Sequence, residues 1–171
     1  VYVVAFSGRM AEIDMYVGDD WFATVRRHDA DGQEWVPTTA IERARRLTEI
    51  TPGTMLALVL EDLVDGYFDA ADALEDKIEF IEDRIFGDTP DEGADSAPIA
   101  VVDEMDVQEA LFDVRRELIR LRRAVLPLRE VLQALLRNEV QWVQGEALIV
   151  CRDTFDKLLR AVDIVDELRE L

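Results

Sequence analysis

The chain has 171 residues, of which 49% are hydrophobic and 8% aromatic, so it has enough apolar side chains to fold around a core. Its formal net charge of −19 argues against nucleic acid as a partner, because phosphate binding needs clustered lysine and arginine. The single cysteine, Cys151, excludes an internal disulfide and a zinc site built from several thiolates.

The first 30 residues alternate polar and apolar side chains in the manner of β-strands. Segments 1–6, 12–17 and 21–27 are separated by short glycine-containing turns, which predicts a three-stranded antiparallel meander. Residues Thr39–Ile50 then show the periodicity of a short amphipathic helix. The beginning of the chain therefore predicts a small antiparallel sheet followed by a short helix.

Three longer stretches place an apolar residue at every third or fourth position, which is typical of helices that pack along their whole length. They are 52–86, 107–137 and 147–171, and the segment 87–106 between the first two is predicted to be a connection. In the last helix the predicted core positions are Leu148, Cys151, Phe155, Leu158, Val162, Val165 and Leu168. The complete pattern indicates an α+β fold with an elongated, coiled-coil-like set of three helices.

Charge is divided unevenly between the two helices of the predicted hairpin. Residues 61–106 contain 17 aspartates and glutamates against two basic residues, whereas residues 115–137 contain seven arginines against two glutamates. We expect the acidic and the arginine-rich helix to form ion pairs across the hairpin. The aspartates and glutamates between residues 69 and 95 that have no basic partner would repel one another, and bound divalent cations would relieve that repulsion.

No motif for catalysis is found in the sequence. His28 is the only histidine, and neither Ser7 nor Ser96 has a partner base in its segment. A glycine-rich phosphate loop and the ligand spacing of an EF-hand are also missing from the sequence. Cys151 lies on the apolar side of the last predicted helix, so we interpret it as a core thiol. We therefore expect a protein that is not an enzyme.

Four segments of the sequence resemble the cytosolic part of CorA-type magnesium channels. They are LVDGYF at 63–68, EFIEDRIF at 79–86, RRELIRLRRAVLPLREVLQALLR at 115–137, and Arg152-Asp153 with Asp156. The resemblance covers about 120 residues, from Thr51 to Leu171, in the right order and spacing. The segment PLREVL around Pro127 is its most specific part.

The resemblance implies a domain organisation and a function. Residues 1–50 would be the C-terminal part of a cytosolic α/β domain, 51–137 a long helical hairpin, and 146–171 the cytosolic part of the pore helix. Members of the family are homopentamers in the bacterial inner membrane, and this part lies on the cytoplasmic side. They conduct magnesium or cobalt, and Mg²⁺ bound between neighbouring cytosolic domains holds the pore closed.

The resemblance also implies metal-binding residues. Asp153 matches the pore-helix aspartate of the regulatory Mg²⁺ site, with Asp156 nearly one turn further on. Glu61 matches a second acidic position on the preceding helix, and a shift in register would replace it by Asp62 or Asp65. A purely structural interpretation of Asp153 is that a carboxylate near a helix N-terminus is stabilised by the helix dipole.

Two alternatives remain open from the sequence. A zinc-transporting relative of the same superfamily would share these segments, and a soluble acidic helical adaptor would share the helical pattern. The membrane spans, the Gly-Met-Asn signature and the upstream half of the α/β domain are not in this chain. Because the chain starts within a strand pattern and stops within a helix pattern, we expect it to be a piece of a longer protein.

Overall fold

The computed structural model describes residues 2–6, 10–28, 34–86, 104–137 and 141–170. It contains, in chain order, strands β1 (Tyr2–Phe6), β2 (Met10–Val17) and β3 (Phe22–Arg26), and helices α1 (Thr38–Ala44), α2 (Pro52–Phe86), α3 (Glu104–Leu136) and α4 (Glu146–Leu168). The predicted α+β class, with a small sheet before three long helices, is confirmed.

The three strands form one antiparallel sheet in the order β1-β2-β3, as the alternating pattern predicts. Val3 pairs with Ile13 across the first two strands, and both side chains are buried together with Met15. Because successive side chains of a strand point to opposite faces, these residues define one inward face of the sheet. That face packs on the helices, since α2 contacts all three strands and α3 contacts β1.

Helix α2 begins where its sequence indicates. The Thr51 hydroxyl accepts a hydrogen bond from the backbone N–H of Thr54 at 3.1 Å, and Pro52 occupies the first helical position. The apolar seams of α2 and α3 are buried along most of their length, but Ile85 and Leu111 are each 46% exposed. The hairpin is therefore tightly packed near the sheet and more open at its far end.

Helix α4 packs against both α2 and α3, and its core positions differ from the predicted seam. The buried positions are Ala147, Cys151, Thr154, Leu158, Ala161, Val165 and Leu168. The predicted core residues Leu148, Phe155 and Val162 are only half-buried. A helix that packs between two others needs small side chains where it contacts both. Each of the three half-buried residues is therefore replaced in the core by the smaller residue one position before it: Ala147, Thr154 and Ala161.

The predicted end of α1 and the predicted start of α3 are wrong. Helix α1 ends at Ala44 instead of residue 50, because the amides of Arg46 and Leu47 bond to carbonyls three residues back in tight turns. Helix α3 begins at Glu104 instead of residue 107, so residues 104–106 of the predicted connection are helical. Acidic residues are favourable in the first turn of a helix. The rest of that connection, 87–103, lies outside the described residues.

A buried tyrosine joins the sheet to the hairpin. The Tyr67 hydroxyl of α2 donates to the carbonyl of Val4 in β1 and lies 3.3 Å from the carbonyl of Ala124 in α3. Burial raises the pKa of this phenol, so it remains a hydrogen-bond donor throughout the neutral range. In the described part of the chain, none of the helices combines the length and the apolar character needed to cross a membrane.

Candidate metal-binding carboxylates

Helix α4 carries a second stripe of side chains on the side away from its core. Its members are exposed and follow a spacing of four and three residues: Ile149, Asp153, Asp156, Arg160, Asp163 and Glu167. This spacing places them on one face of the helix, as regularly as the buried stripe. We refer to this set as the outer stripe of α4. The stripe carries four carboxylates, and two of them, Asp153 and Asp156, are predicted metal ligands.

Asp153 and Asp156 lie three residues apart on the outer stripe, so their side chains are neighbours on the helix surface. Both are exposed, and in the described residues neither has an ion pair or a hydrogen bond to its side chain. Carboxylate oxygens are the ligands that a hard cation such as Mg²⁺ prefers. The donor chemistry at this position therefore fits a divalent cation.

Glu61, the other predicted metal ligand, has a different environment. It is only 9% exposed, and its carboxylate is held by two basic side chains. Lys157 Nζ lies 3.1 Å from Glu61 Oε1, and Arg43 pairs with Glu61 Oε2. Lys157 also bonds to Asp65 Oδ1 at 3.0 Å. The structure brings Glu61 within reach of α4, one helical turn after Asp153, but with both of its oxygens already engaged.

The charge on Lys157 is stabilised by this arrangement. Burial opposes the charge, but the hydrogen bonds to Asp65 and Glu61 outweigh burial and raise the pKa of the ammonium group. The group is thus a permanent cation that links α4 to α2. Sequence inspection gives no signal for this contact, because Lys157 and Glu61 are 96 positions apart.

Asp62, the first alternative in a shifted register, also has a structural partner. Its Oδ2 accepts the backbone N–H of Ala40 at 3.2 Å, in the first turn of α1. Burial raises the pKa of Asp62, while hydrogen bonds from Ala40 and Thr39 act in the opposite direction. Asp62 and Asp65 both line an open groove of about 450 Å³ between the start of α1 and the hairpin.

In the described residues, the predicted pairing of carboxylates on α2 with arginines on α3 is not found. Among the described residues, one ion pair joins α2 to α3, and it has the opposite polarity: Lys77 Nζ lies 2.6 Å from Glu117 Oε2. Arg122 of α3 instead reaches Asp166 of α4 at 3.0 Å. Most acidic residues of α2 and most arginines of α3 are exposed on outward surfaces, so they do not meet across the hairpin.

In the ranges that the structure describes, no group of three or more His, Cys, Asp or Glu side chains lies close enough together to hold a metal ion. The clearest candidate for cation binding is thus a pair of neighbouring carboxylates, Asp153 and Asp156, on an exposed helix surface. Such a pair supplies a few oxygen ligands, and water or another chain would complete the coordination.

The fold and the matched sequence define the class of protein. The chain matches the family described as CorA-like Mg²⁺ transporter protein over residues 5–171, and it belongs to that family. It is 25% identical over 160 residues to YfjQ of Bacillus subtilis, whose name proposes it as a metal ion transporter. It is 26% identical over 117 residues to the cobalt/magnesium transport protein CorA of Thermotoga maritima.

These two matches cover 94% and 68% of this chain but only 46% and 29% of the relatives, so the chain spans less than half of either protein. The soluble domain of CorA from Methanocaldococcus jannaschii has the same fold, with a TM-score of 0.70 at 18% identity over 99% of this chain and 63% of that one. The complete CorA magnesium transporter of that organism gives a TM-score of 0.61 at 17% identity, over 94% of this chain and 52% of that one.

Proposed function

We propose that this chain is the cytosolic regulatory part of a homo-oligomeric channel for magnesium or cobalt, and that Mg²⁺ bound between neighbouring copies through Asp153 controls gating. The observation that carries the proposal is the outer stripe of α4, where Asp153 and Asp156 are exposed and without a partner among the described residues. Membership of a Mg²⁺ transporter family makes Mg²⁺ the cation to test first.

The physical basis of the proposal is electrostatic. Carboxylates of two copies that face each other repel, and a divalent cation between them replaces repulsion by attraction. Mg²⁺ keeps much of its hydration, so one or two carboxylates from each side are sufficient ligands. Binding to one state alone stabilises that state by about 1.4 kcal/mol per site at tenfold saturation, and five such sites would shift a two-state pore.

In this proposal the residues near the site have distinct roles. Asp153 is the principal ligand, and Asp156 adds a second carboxylate on the same surface. Glu61 acts through Lys157: the partly buried ion pair fixes the rotation of α4 against α2 and thereby the direction of the outer stripe. The membrane-spanning part would lie outside this chain, which would itself be on the cytoplasmic side of the bacterial inner membrane.

The proposal is tested by limited proteolysis and sedimentation velocity of the chain in millimolar MgCl₂ and in KCl of equal ionic strength. We expect Mg²⁺ to protect the chain and to favour larger assemblies, and Asp153→Ala to abolish both effects. Asp72→Ala, which removes an equally exposed carboxylate from α2, is the matched control and should behave like the parent chain. Protection that survives Asp153→Ala would remove Asp153 from the site.

The identity of the transported ion needs the longer protein that contains this chain. Ion-flux assays with Mg²⁺, Co²⁺ and Zn²⁺ on that protein in vesicles separate the proposal from a zinc-transporting relative. Flux of Mg²⁺ or Co²⁺ that increases when Asp153 is replaced by alanine is the expected result. A Zn²⁺ flux without Mg²⁺ or Co²⁺ flux would reject the proposed cargo.

A further inference from the structure

Helix α2 has an outward surface that combines carboxylates with an aromatic ring. Phe80 is 61% exposed and is flanked on this surface by Asp76, Glu79 and Asp83, all exposed. The guanidinium group of Arg84 lies 5.6 Å from the centre of the Phe80 ring. Within the described residues none of the three carboxylates has an ion pair. We call Asp76, Glu79, Phe80 and Asp83 the acidic face of α2.

Helix α3 has an outward surface of the opposite charge. Phe112 is 65% exposed and Ile119 is 41% exposed, and Arg116 and Arg123 alternate with them at a spacing of four and three residues. Arg116 is within 3.6 Å of Asp113 on its own helix, and Arg123 has no ion pair in the described part of the chain. We call Phe112, Arg116, Ile119 and Arg123 the basic face of α3.

The two faces complement each other in charge and in apolar content, yet within one copy no ion pair among the described residues joins them. Exposed aromatic and aliphatic side chains surrounded by charge of one sign are typical of docking surfaces. A polyanion is a poor occupant for the basic face, because the formal charge of the chain is −19 and the acidic helix lies next to it. A better match is a helix surface that combines carboxylates with an aromatic ring, and the molecule itself has such a surface, the acidic face of α2.

We propose that the acidic face of α2 in one copy packs against the basic face of α3 in a second copy. The Lys77–Glu117 ion pair places these residues at the same level of the two helices. Phe80 lies three residues beyond Lys77, and Phe112 lies five residues before Glu117 on a helix that runs the other way. In an assembly whose axis runs along the helices, the two faces therefore meet at equal height.

In the proposed contact each copy would offer α2 to one neighbour and α3 to another, which makes the contact head-to-tail. Repetition of such a contact closes a ring when the rotation permits and otherwise extends as a filament. The contact uses neither Asp153 nor the outer stripe of α4, and it does not require Mg²⁺. It is therefore independent of the proposed metal site, and either proposal can fail alone.

The test is a charge-reversal cycle on the full 171-residue chain in EDTA at low ionic strength, followed by sedimentation velocity. The parent chain should self-associate, and Arg116→Glu with Arg123→Glu should weaken association by about tenfold or more. Asp76→Arg with Asp83→Arg should have the same effect. A mixture of the two double variants should associate again, because each then offers the complement of the other.

The matched control is Arg45→Glu with Arg46→Glu, which makes the same change of charge at exposed positions after α1 and should leave association unchanged. Circular dichroism establishes that each variant keeps its helix content. A chain that remains monomeric at all concentrations, or a mixture that fails to associate, would overturn the proposal. So would binding of the monomeric parent to anionic vesicles that is lost in the Arg116→Glu, Arg123→Glu variant.

Discussion

Cys151 lies in the centre of the three-helix core, and its surroundings determine how it titrates. Burial raises the pKa of the thiol to about 11, because the thiolate would be poorly solvated there. In the unfolded chain a cysteine titrates near pH 8.5. The folded state therefore keeps a proton that the unfolded state loses, and this contribution to stability is complete below the unfolded pKa and is lost as the pH rises.

We predict that the free energy of unfolding decreases between about pH 9 and about pH 11, by up to about 3 kcal/mol from this one group. Urea denaturation at a series of pH values measures the decrease, and Cys151→Ala should give a flatter profile. Tyr67 contributes to the decrease in both proteins, so the difference between the two profiles isolates the thiol. Equal slopes in the two proteins would contradict the buried titration.

Individual residues differ in how far the sequence predicts their environment. Cys151 was expected in the core and is there, since it occupies an apolar position of a regular helical pattern. The surface position of Asp153 also follows from that pattern, because it lies off the seam. The pairing of Glu61 could not be predicted, since Arg43 and Lys157 reach it from helices that only the tertiary fold brings together.

At the scale of helices, Lys157 is the link between α4 and α2. Replacement by alanine would leave Glu61 buried with Arg43 as its remaining partner among the described residues, at a cost of about 1–3 kcal/mol in the free energy of unfolding. Arg160→Ala, which removes an exposed cation from the same helix, should change stability by less than about 0.5 kcal/mol. Chemical denaturation of the two variants measures the difference, and equal effects would show that the ion pair contributes nothing.

Gly53 determines how closely the start of α2 approaches the segment before α4. A Cβ atom on Gly53 would lie 1.7 Å from the carbonyl oxygen of Trp142, so a side chain there forces the two backbones apart. We predict that Gly53→Ala lowers the free energy of unfolding by about 2 kcal/mol or more. Gly66→Ala in the same helix borders an open groove and should be neutral or stabilising. A thermal shift assay distinguishes the two substitutions.

The helices themselves were largely predictable, because period and capping residues are local properties of the sequence. Thr51 and Pro52 define the start of α2 in the sequence and in the structure. The core stripe of α4 differs from the predicted one because its position depends on the spacing between α2 and α3. The periodicity of the α4 sequence carries no information about that spacing. The same limit applies to α1, whose end is fixed by tight turns rather than by its apolar pattern.

At the scale of the molecule, the contacts within one copy do not account for the arrangement of charge. The fold shared with the soluble domain of CorA from Methanocaldococcus jannaschii accounts for the sheet and the three long helices. Most acidic residues of α2 and most arginines of α3 lie on outward surfaces, where ion pairs within one copy are few in the described residues. The folded chain therefore contains uncompensated repulsion along α2.

This repulsion predicts a salt dependence of stability. Raising KCl from about 0.02 M to about 0.2 M shortens the Debye length from about 20 Å to about 7 Å, and should increase the free energy of unfolding by on the order of 1 kcal/mol. Urea denaturation of dilute protein measures the increase. The triple variant Asp72→Asn, Glu75→Gln, Glu79→Gln should be more stable at low salt and less sensitive to KCl. A stability that decreases with salt would instead mean that attractive pairs such as Arg122–Asp166 dominate the electrostatics of the folded chain.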